Sequence, residues 1–256
     1  MVIKTIFVLS IITINSFLMA KSYAVVVGIN GVNLKVAAKD AKNIKNMLRD
    51  FGIRDIKILL NDNATKSAII SAIERVNRNI QENDWVYFFF SGHGTSEYDP
   101  SVEHNKTLKK RLKDTGALIS SDNKLIVIKE SLAKIFKDFD DKKVNTVIIF
   151  DTCFSGNSYK DSFITKKIEP LPLYTSTFTT KKEYPYKNIR YLAATSANDY
   201  AVEKDENGSY FTLSLIKCFK EYRVKRLKKL KECIQKQDIP QTPVFLPNRD
   251  MTIFPN

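Results

Sequence analysis

The chain is short of the residues that build metal clusters, disulfide frameworks and acidic surfaces. Its 256 residues include three cysteines and two histidines, and 28 acids stand against 41 lysines and arginines. No Cys/His cluster has zinc-ligand spacing, which excludes a zinc module. Three cysteines make no disulfide framework. There is no compact calcium loop of the EF-hand type, no internal repeat and no nucleic-acid-binding motif. The shortage of acid leaves a formal charge of +13. Such a balance favours acidic partners such as nucleic acid, anionic lipid or cell-surface polymers. The lysines are spread widely, however, so a soluble lysine-rich surface is preferred and no specific nucleic-acid partner is expected.

The length fits one α/β domain, and an apolar content of 43% is ordinary for a globular chain. The amino terminus carries Lys4 and then a nearly uncharged apolar run from Ile6 to Ala20. A basic start, a short apolar core and a small residue at its end predict a secretory signal over residues 1–20, with the remaining domain at 21–256. Leu18 is larger than the usual residue at that place, so an uncleaved anchor stays open as an alternative. A buried first strand is set aside because Tyr23 to Ile29 already fills that role. Removing the signal takes away only Lys4, changing the charge from +13 to 13 − 1 = +12. The expected location is periplasmic or extracellular.

Two apolar runs organise the rest. One is Thr146-Val-Ile-Ile-Phe-Asp151-Thr-Cys153-Phe-Ser-Gly156, and the other is Asp84-Trp-Val-Tyr-Phe-Phe-Phe90, which leads straight into Ser91-Gly92-His93-Gly94. Neither core alternates, so each reads as a strand covered on both faces, as in a parallel sheet. In open α/β sheets ligands bind beyond the carboxyl ends of the strands. One strand ends there in a cysteine and the other in a histidine between glycines. A thiol is a weak nucleophile until an imidazole takes its proton or stabilises its thiolate. The flanking glycines let backbone approach a substrate, and their amides can face a developing oxyanion.

In these motifs the chain resembles the caspase-like cysteine peptidases, and more closely their metacaspase and bacterial branch. The matching pieces are Tyr23-Ala-Val-Val-Val-Gly-Ile-Asn30, Ala38-Lys-Asp40-Ala41, Ser91-Gly-His-Gly94 and Asp151-Thr-Cys-Phe-Ser-Gly156. Ala193-Ala-Thr-Ser-Ala197 and Gly208-Ser-Tyr-Phe-Thr212 follow in the family's order. The local cysteine motif of caspases themselves is absent. The resemblance implies a three-layer α/β sandwich with a mainly parallel sheet of about six strands. It also implies a Cys–His endopeptidase: Cys153 the nucleophile, His93 the general base or acid, and the amides of Gly94 and Cys153 the oxyanion donors. A catalytically silent binding module on the same fold is the alternative, disfavoured because Cys153 and His93 are both present. Metacaspases place acids around the pocket for the residue before the cut bond. Here the matching positions are Asp40 and Asp151, with Ser91 between the strands, which implies cleavage after Arg or Lys. Phe154 stands where many metacaspases have histidine or tyrosine, and Ala37 where some have cysteine; neither change removes a catalytic group. No cofactor is expected, and a calcium requirement, which some metacaspases have, is not readable.

In chain order, Ala37, Ala41, Ile44, Leu48 and Phe51 step as an amphipathic helix ended by Gly52. Asp40 flanks its buried stripe, either serving the helix dipole or facing the crevice above the sheet. Ile56 to Leu60 predicts a strand. Thr65 caps a helix through Ile80 whose inner face is Ile69, Ile73, Val76 and Ile80. Thr95 to Gly116 is patternless and predicts an exposed loop, with His104 a solvated residue in it. Leu118 to Val127 predicts a hairpin turning at Ser121-Asp-Asn123, and Ser131 to Phe139 a helix. Residues 157–187 predict a long internal connection. Because it holds Lys166-Lys167 and Lys181-Lys182, self-cleavage there into two associated fragments is expected of an enzyme that cuts after bases. Ile189 to Ala194 predicts a strand and Tyr210 to Tyr222 a helix. The basic stretch Arg223 to Lys236 is preferred as a surface helix over one lying on an anionic membrane. Val244 to Leu246 and Met251 to Phe254 predict closing edge strands. Cys218 and Cys233 each fit an apolar helical position. They could pair in an oxidising compartment but are left reduced and unassigned.

Overall fold

A computed structural model describes residues 20–113, 115–152, 184, 186–195 and 201–255. The elements, in order, are β1 (Ser22–Gly28), α1 (Ala37–Asp50), β2 (Asp55–Leu60), α2 (Lys66–Asn79), β3 (Trp85–Gly92), β4 (Gly94–Ser96), α3 (Lys106–Leu112), β5 (Gly116–Ile119) and β6 (Leu125–Val127). They continue with α4 (Ala133–Asp141), β7 (Asn145–Thr152), β8 (Ile189–Ala193), β9 (Glu203–Asp205), β10 (Gly208–Ser209), α5 (Tyr210–Lys220), α6 (Leu227–Gln235) and β11 (Val244–Leu246). Six strands form one sheet in the order β11-β8-β7-β3-β1-β2. All its pairings are parallel except the β11 edge. β4, β5 and β6 form a small antiparallel sheet, and β9 and β10 a short hairpin.

The unbroken apolar runs follow from this burial. Successive side chains of a strand point to opposite faces. Val86, Phe88 and Phe90 of β3 therefore join α2 and α4 on one face, while Trp85, Tyr87 and Phe89 join α1, α5 and α6 on the other. Every residue of β3 is buried. The result is the three-layer sandwich with two cores, one on each side of the sheet.

The helices begin where the sequence supplies oxygen acceptors. Thr65 Oγ1 accepts from the Ala68 amide at 3.2 Å, capping α2 as its sequence predicts. At the start of α1, Asn30 Oδ1 accepts from the Ala38 amide at 2.8 Å, and Glu203 from the amides of Lys35 and Val36. The hairpin between β5 and β6 also forms as expected. Leu227, Leu230 and Ile234, the apolar stripe of basic α6, are buried against the protein body. Among the described residues, no helix is long and apolar enough to cross a membrane.

Three expectations need correction. Thr95 to Gly116 is not a structureless exposed loop: it contains β4 and α3, and buries Val102 and Leu112 against Ala117 and Val127. Its polar residues satisfy one another, with Asp99 accepting from Thr95 Oγ1 at 2.8 Å and from the Ser101 amide at 2.9 Å. That closure leaves no periodic apolar signal. His104 within it is exposed. Second, Met251 to Phe254 is no sheet strand; it makes an isolated bridge, Thr252 to Arg226. Side chains take its carbonyls instead: Arg190 Nε donates to Thr252 at 2.7 Å, and the Tyr87 hydroxyl to Ile253 at 2.9 Å. Phe254 then stacks on Phe51 with ring centroids 4.2 Å apart. Third, Cys218 and Cys233 are not reduced. They form a disulfide with Cα atoms 6.0 Å apart, because α5 and α6 pack side by side and present one cysteine each to the seam. The expected self-cleavage sites, Lys166-Lys167 and Lys181-Lys182, lie outside the described residues.

Candidate active site

β3 and β7 run side by side in register, Ser91 opposite Asp151 and Gly92 opposite Thr152. Their carboxyl ends carry the chemistry that the sequence singles out. Cys153 follows Thr152 directly in the chain and lies outside the described residues. His93, Ser91, Asp40 and Asp151 come together around one narrow crevice, closed on its far side by Ala201 to Glu203 and Ser209.

Asp40 and Asp151 are 1% and 3% exposed, so both carboxyl groups are effectively out of water. Asp40 accepts from the Ser91 hydroxyl at 3.2 Å and from the Ser209 amide at 3.0 Å. Asp151 accepts from the hydroxyls of Ser209 and Thr212, the latter at 2.6 Å. Ser209 thus serves both acids, its amide on one and its hydroxyl on the other. Among the described residues no cation touches either carboxyl group. Burial, then the charge of Asp151, pushes Asp40 up from the usual carboxylate range to about 8. Burial also raises Asp151, opposed by the Ser209 and Thr212 hydroxyls. Near neutral pH the pair therefore holds a proton rather than two full negative charges.

His93 is half-buried, and burial lowers its pKa while the carboxylate of Glu203 pulls it back. The imidazole is accordingly neutral near pH 7, able to accept a proton. Its backbone carbonyl accepts from the Ile119 amide at 3.0 Å, which ties the segment after β3 to β5. That bond makes Gly94 and Leu118 a non-hydrogen-bonded pair, so the Gly94 amide points away from β5. Gly31 lies against the imidazole ring, where any Cβ would collide with Nε2 and come 2.7 Å from Cδ2. Among the described residues no group of three His, Cys, Asp or Glu side chains could hold a metal.

The model of the Peptidase C14 caspase domain matches residues 21–242. The chain belongs to this caspase-domain family. The family is one of cysteine-type peptidases, and that coarse activity class comes with membership. A crystal structure of protein GSU0716 from Geobacter sulfurreducens is similar, with 18% sequence identity and a TM-score of 0.63. The match covers 88% of this chain and 92% of that one. At that identity the likeness concerns the fold. No curated protein matches the chain.

In this caspase domain the sequence pattern does not assign Ser209, Thr212 or Glu203. Ser209 and Thr212 stand in the family-like segment Gly208 to Thr212, which is the one signal pointing to them. Hydroxyl donors carry no periodicity, and these two reach Asp151 across 58 and 61 residues. Glu203 has no signal at all, being one of several acids in the short polar hairpin strand β9 and its turn. Gly208, between Glu203 and Ser209, has φ +152, and a Cβ there would approach Asp40 Oδ1 to 2.5 Å. Only a glycine lets the chain pass that close to the buried acid.

Proposed function

We propose that the chain is a cysteine endopeptidase that cleaves after Arg or Lys. The observation that carries this reading is the pair of buried, hydrogen-bonded carboxyl groups of Asp40 and Asp151, which no cationic side chain touches among the described residues, in the crevice beside His93. Two carboxylates desolvated in one site repel each other, and a guanidinium or ammonium entering between them relieves the repulsion. Ser91 adds a hydroxyl at the same wall. In this reading His93 takes the proton of Cys153, whose thiolate attacks the carbonyl carbon. The oxyanion is held by the amides of Gly94 and Cys153, and His93 then protonates the leaving amine. The register of Gly92 with Thr152 supports the pairing, since His93 and Cys153 are the residues that follow the two strands in the chain. Water hydrolyses the thioester and returns the enzyme.

The test is a peptide library with every residue at the position before the cut, run on the purified protein, its Cys153→Ala variant and its His93→Ala variant. Arg and Lys should dominate. Each variant should lose at least about a thousandfold of turnover, because the two groups act as a unit. A preference for Asp or for apolar residues would reject the pocket, and retained turnover by Cys153→Ala would reject the nucleophile. We also read the chain as exported after loss of residues 1–20. The Cys218–Cys233 disulfide supports an oxidising compartment.

A further inference from the structure

The imidazole of His93 is a wall shared by two cavities. On one side is the acid crevice, walled by the end of β7 and the segment 201–209. On the other is a larger cavity of about 410 Å³, which opens toward the end of β2 and the β5–β6 turn. The proposed function leaves that second cavity unused, and any role for it in catalysis rests on that function. When the thiolate sulfur bonds the carbonyl carbon, the C–N bond breaks and the imidazolium gives its proton to the departing nitrogen. The residue before the bond occupies the acid crevice. The nitrogen that takes the proton must lie at the imidazole, so the chain it belongs to leaves past His93 on the opposite side.

We infer that the second cavity binds the one or two residues that follow the cleaved bond, and that it selects neutral polar or basic side chains over acidic ones. Its size falls in the range of ligand cavities, roughly 300–1,000 Å³, more than one side chain requires. Asn33, Asn61 and Asn123 line it. Asn61 spends its Oδ1 on the Asn30 amide at 3.0 Å and keeps its Nδ2 group. The side chains of Asn33 and Asn123 have no hydrogen-bond partner among the described residues. Carboxamides offer donors and acceptors together, matching both groups of a peptide backbone. Asn61 and Asn123 both sit at positive φ, 44° and 55°, in the left-handed region that asparagine tolerates better than bulkier residues. Asp62 is the one charged side chain among the residues lining the cavity and is exposed. Its charge sets the expected bias: bases attracted, acids repelled. Val32, 91% exposed at the mouth, offers an apolar contact that water gains nothing from.

The experiment uses internally quenched peptides with one fixed Arg or Lys before the cut and Ser-Ser, Lys-Lys or Glu-Glu after it. A coumarylamide with the same acyl part, and so no residue after the cut, is the reference. Relative to that reference, the Ser-Ser and Lys-Lys peptides should exceed Glu-Glu in kcat/KM by about fivefold, the effect of one exposed charge at close range. Asp62→Asn should shrink the ratio of Lys-Lys to Glu-Glu by about threefold. Asn33→Ala should lower all three peptides relative to the coumarylamide. Equal rates for all three peptides overturn the assignment, as does a variant that lowers the coumarylamide in the same proportion as the peptides. If the wild-type protein turns over no coumarylamide, the peptidase reading falls and this one with it. If it does so with a flat profile after the cut, this assignment alone falls.

Discussion

Asp40 and Asp151 are both buried, Asp40 satisfied by a hydroxyl and an amide and Asp151 by two hydroxyls, and among the described residues neither touches a cation. Asp40→Asn keeps the shape of the crevice and removes the acid that would give up its proton and become charged beside an entering guanidinium or ammonium. It should lower kcat/KM for Arg and Lys substrates about a hundredfold, mainly through KM, as expected for loss of a charge-assisted hydrogen bond of about 2–3 kcal/mol. Steady-state kinetics on the two variants of one peptide, basic and neutral before the cut, would check it. Gly31→Ala tests the histidine: the new Cβ meets the imidazole, and a small displacement of that ring should cost about ten- to a hundredfold in kcat. The circular dichroism spectrum should stay unchanged, because Gly31 lies outside the main sheet. Asp151 and His93 were legible because they follow apolar runs at the sheet's carboxyl edge, whereas Asp40, inside α1, was legible through the family resemblance. Ser209, Thr212 and Gly31 were not, because their roles depend on distance across the fold and not on spacing in the chain.

At the scale of elements, the strands were the most legible part. β3 and β7 are buried along both faces, so their middles are apolar, and the apolar run stops at Ser91 and Asp151, one residue before each strand's last. Helices α1 and α2 announced themselves through stripes and, for α2, a cap. What failed were the segments held by side chains. The carbonyls of Thr252 and Ile253 are met by Arg190 and Tyr87. The β4–α3 region is closed by Asp99. No window of local pattern records such partners. The α5–α6 pair was half legible, since both helices were read but their covalent link was not. The disulfide closes a sequence separation of 15 residues. Replacing both Cys218 and Cys233 by Ala should lower stability by about 3 kcal/mol, with turnover preserved. Urea unfolding of the two proteins, read by tryptophan fluorescence, measures it. An unchanged midpoint would mean the link constrains little.

For the whole molecule, the buried acids make stability depend on pH. Asp40 titrates near 8 in the folded protein against 3.8 ordinarily, so the folded state keeps a proton that the unfolded chain has lost. The resulting stabilisation is full below about pH 4 and is lost as pH rises through about 8. The melting temperature should therefore fall between about pH 6 and about pH 8.5, and fall less in Asp40→Asn; equal slopes would show that other groups control it. Asp40→Asn should also be the more stable of the two at about pH 8.5, because an asparagine there carries no charge to desolvate.

The crevice also divides the chain in an unexpected place. Its acids, Asp40 and Asp151, come from the amino-terminal side of residues 153–183, and the donors Ser209 and Thr212 come from the carboxyl-terminal side. Neither part owns a complete pocket. A break between them would leave one part with two carboxyl groups short of donors and the other with donors short of acceptors. In the proposed reading, recognition of a basic residue is a property of the joint, and the hydrogen bonds that shape the crevice add a clasp between the two parts beside the β7–β8 pairing. An occupied pocket would tighten that clasp, so a nicked chain should come apart more slowly with a basic ligand bound than without one.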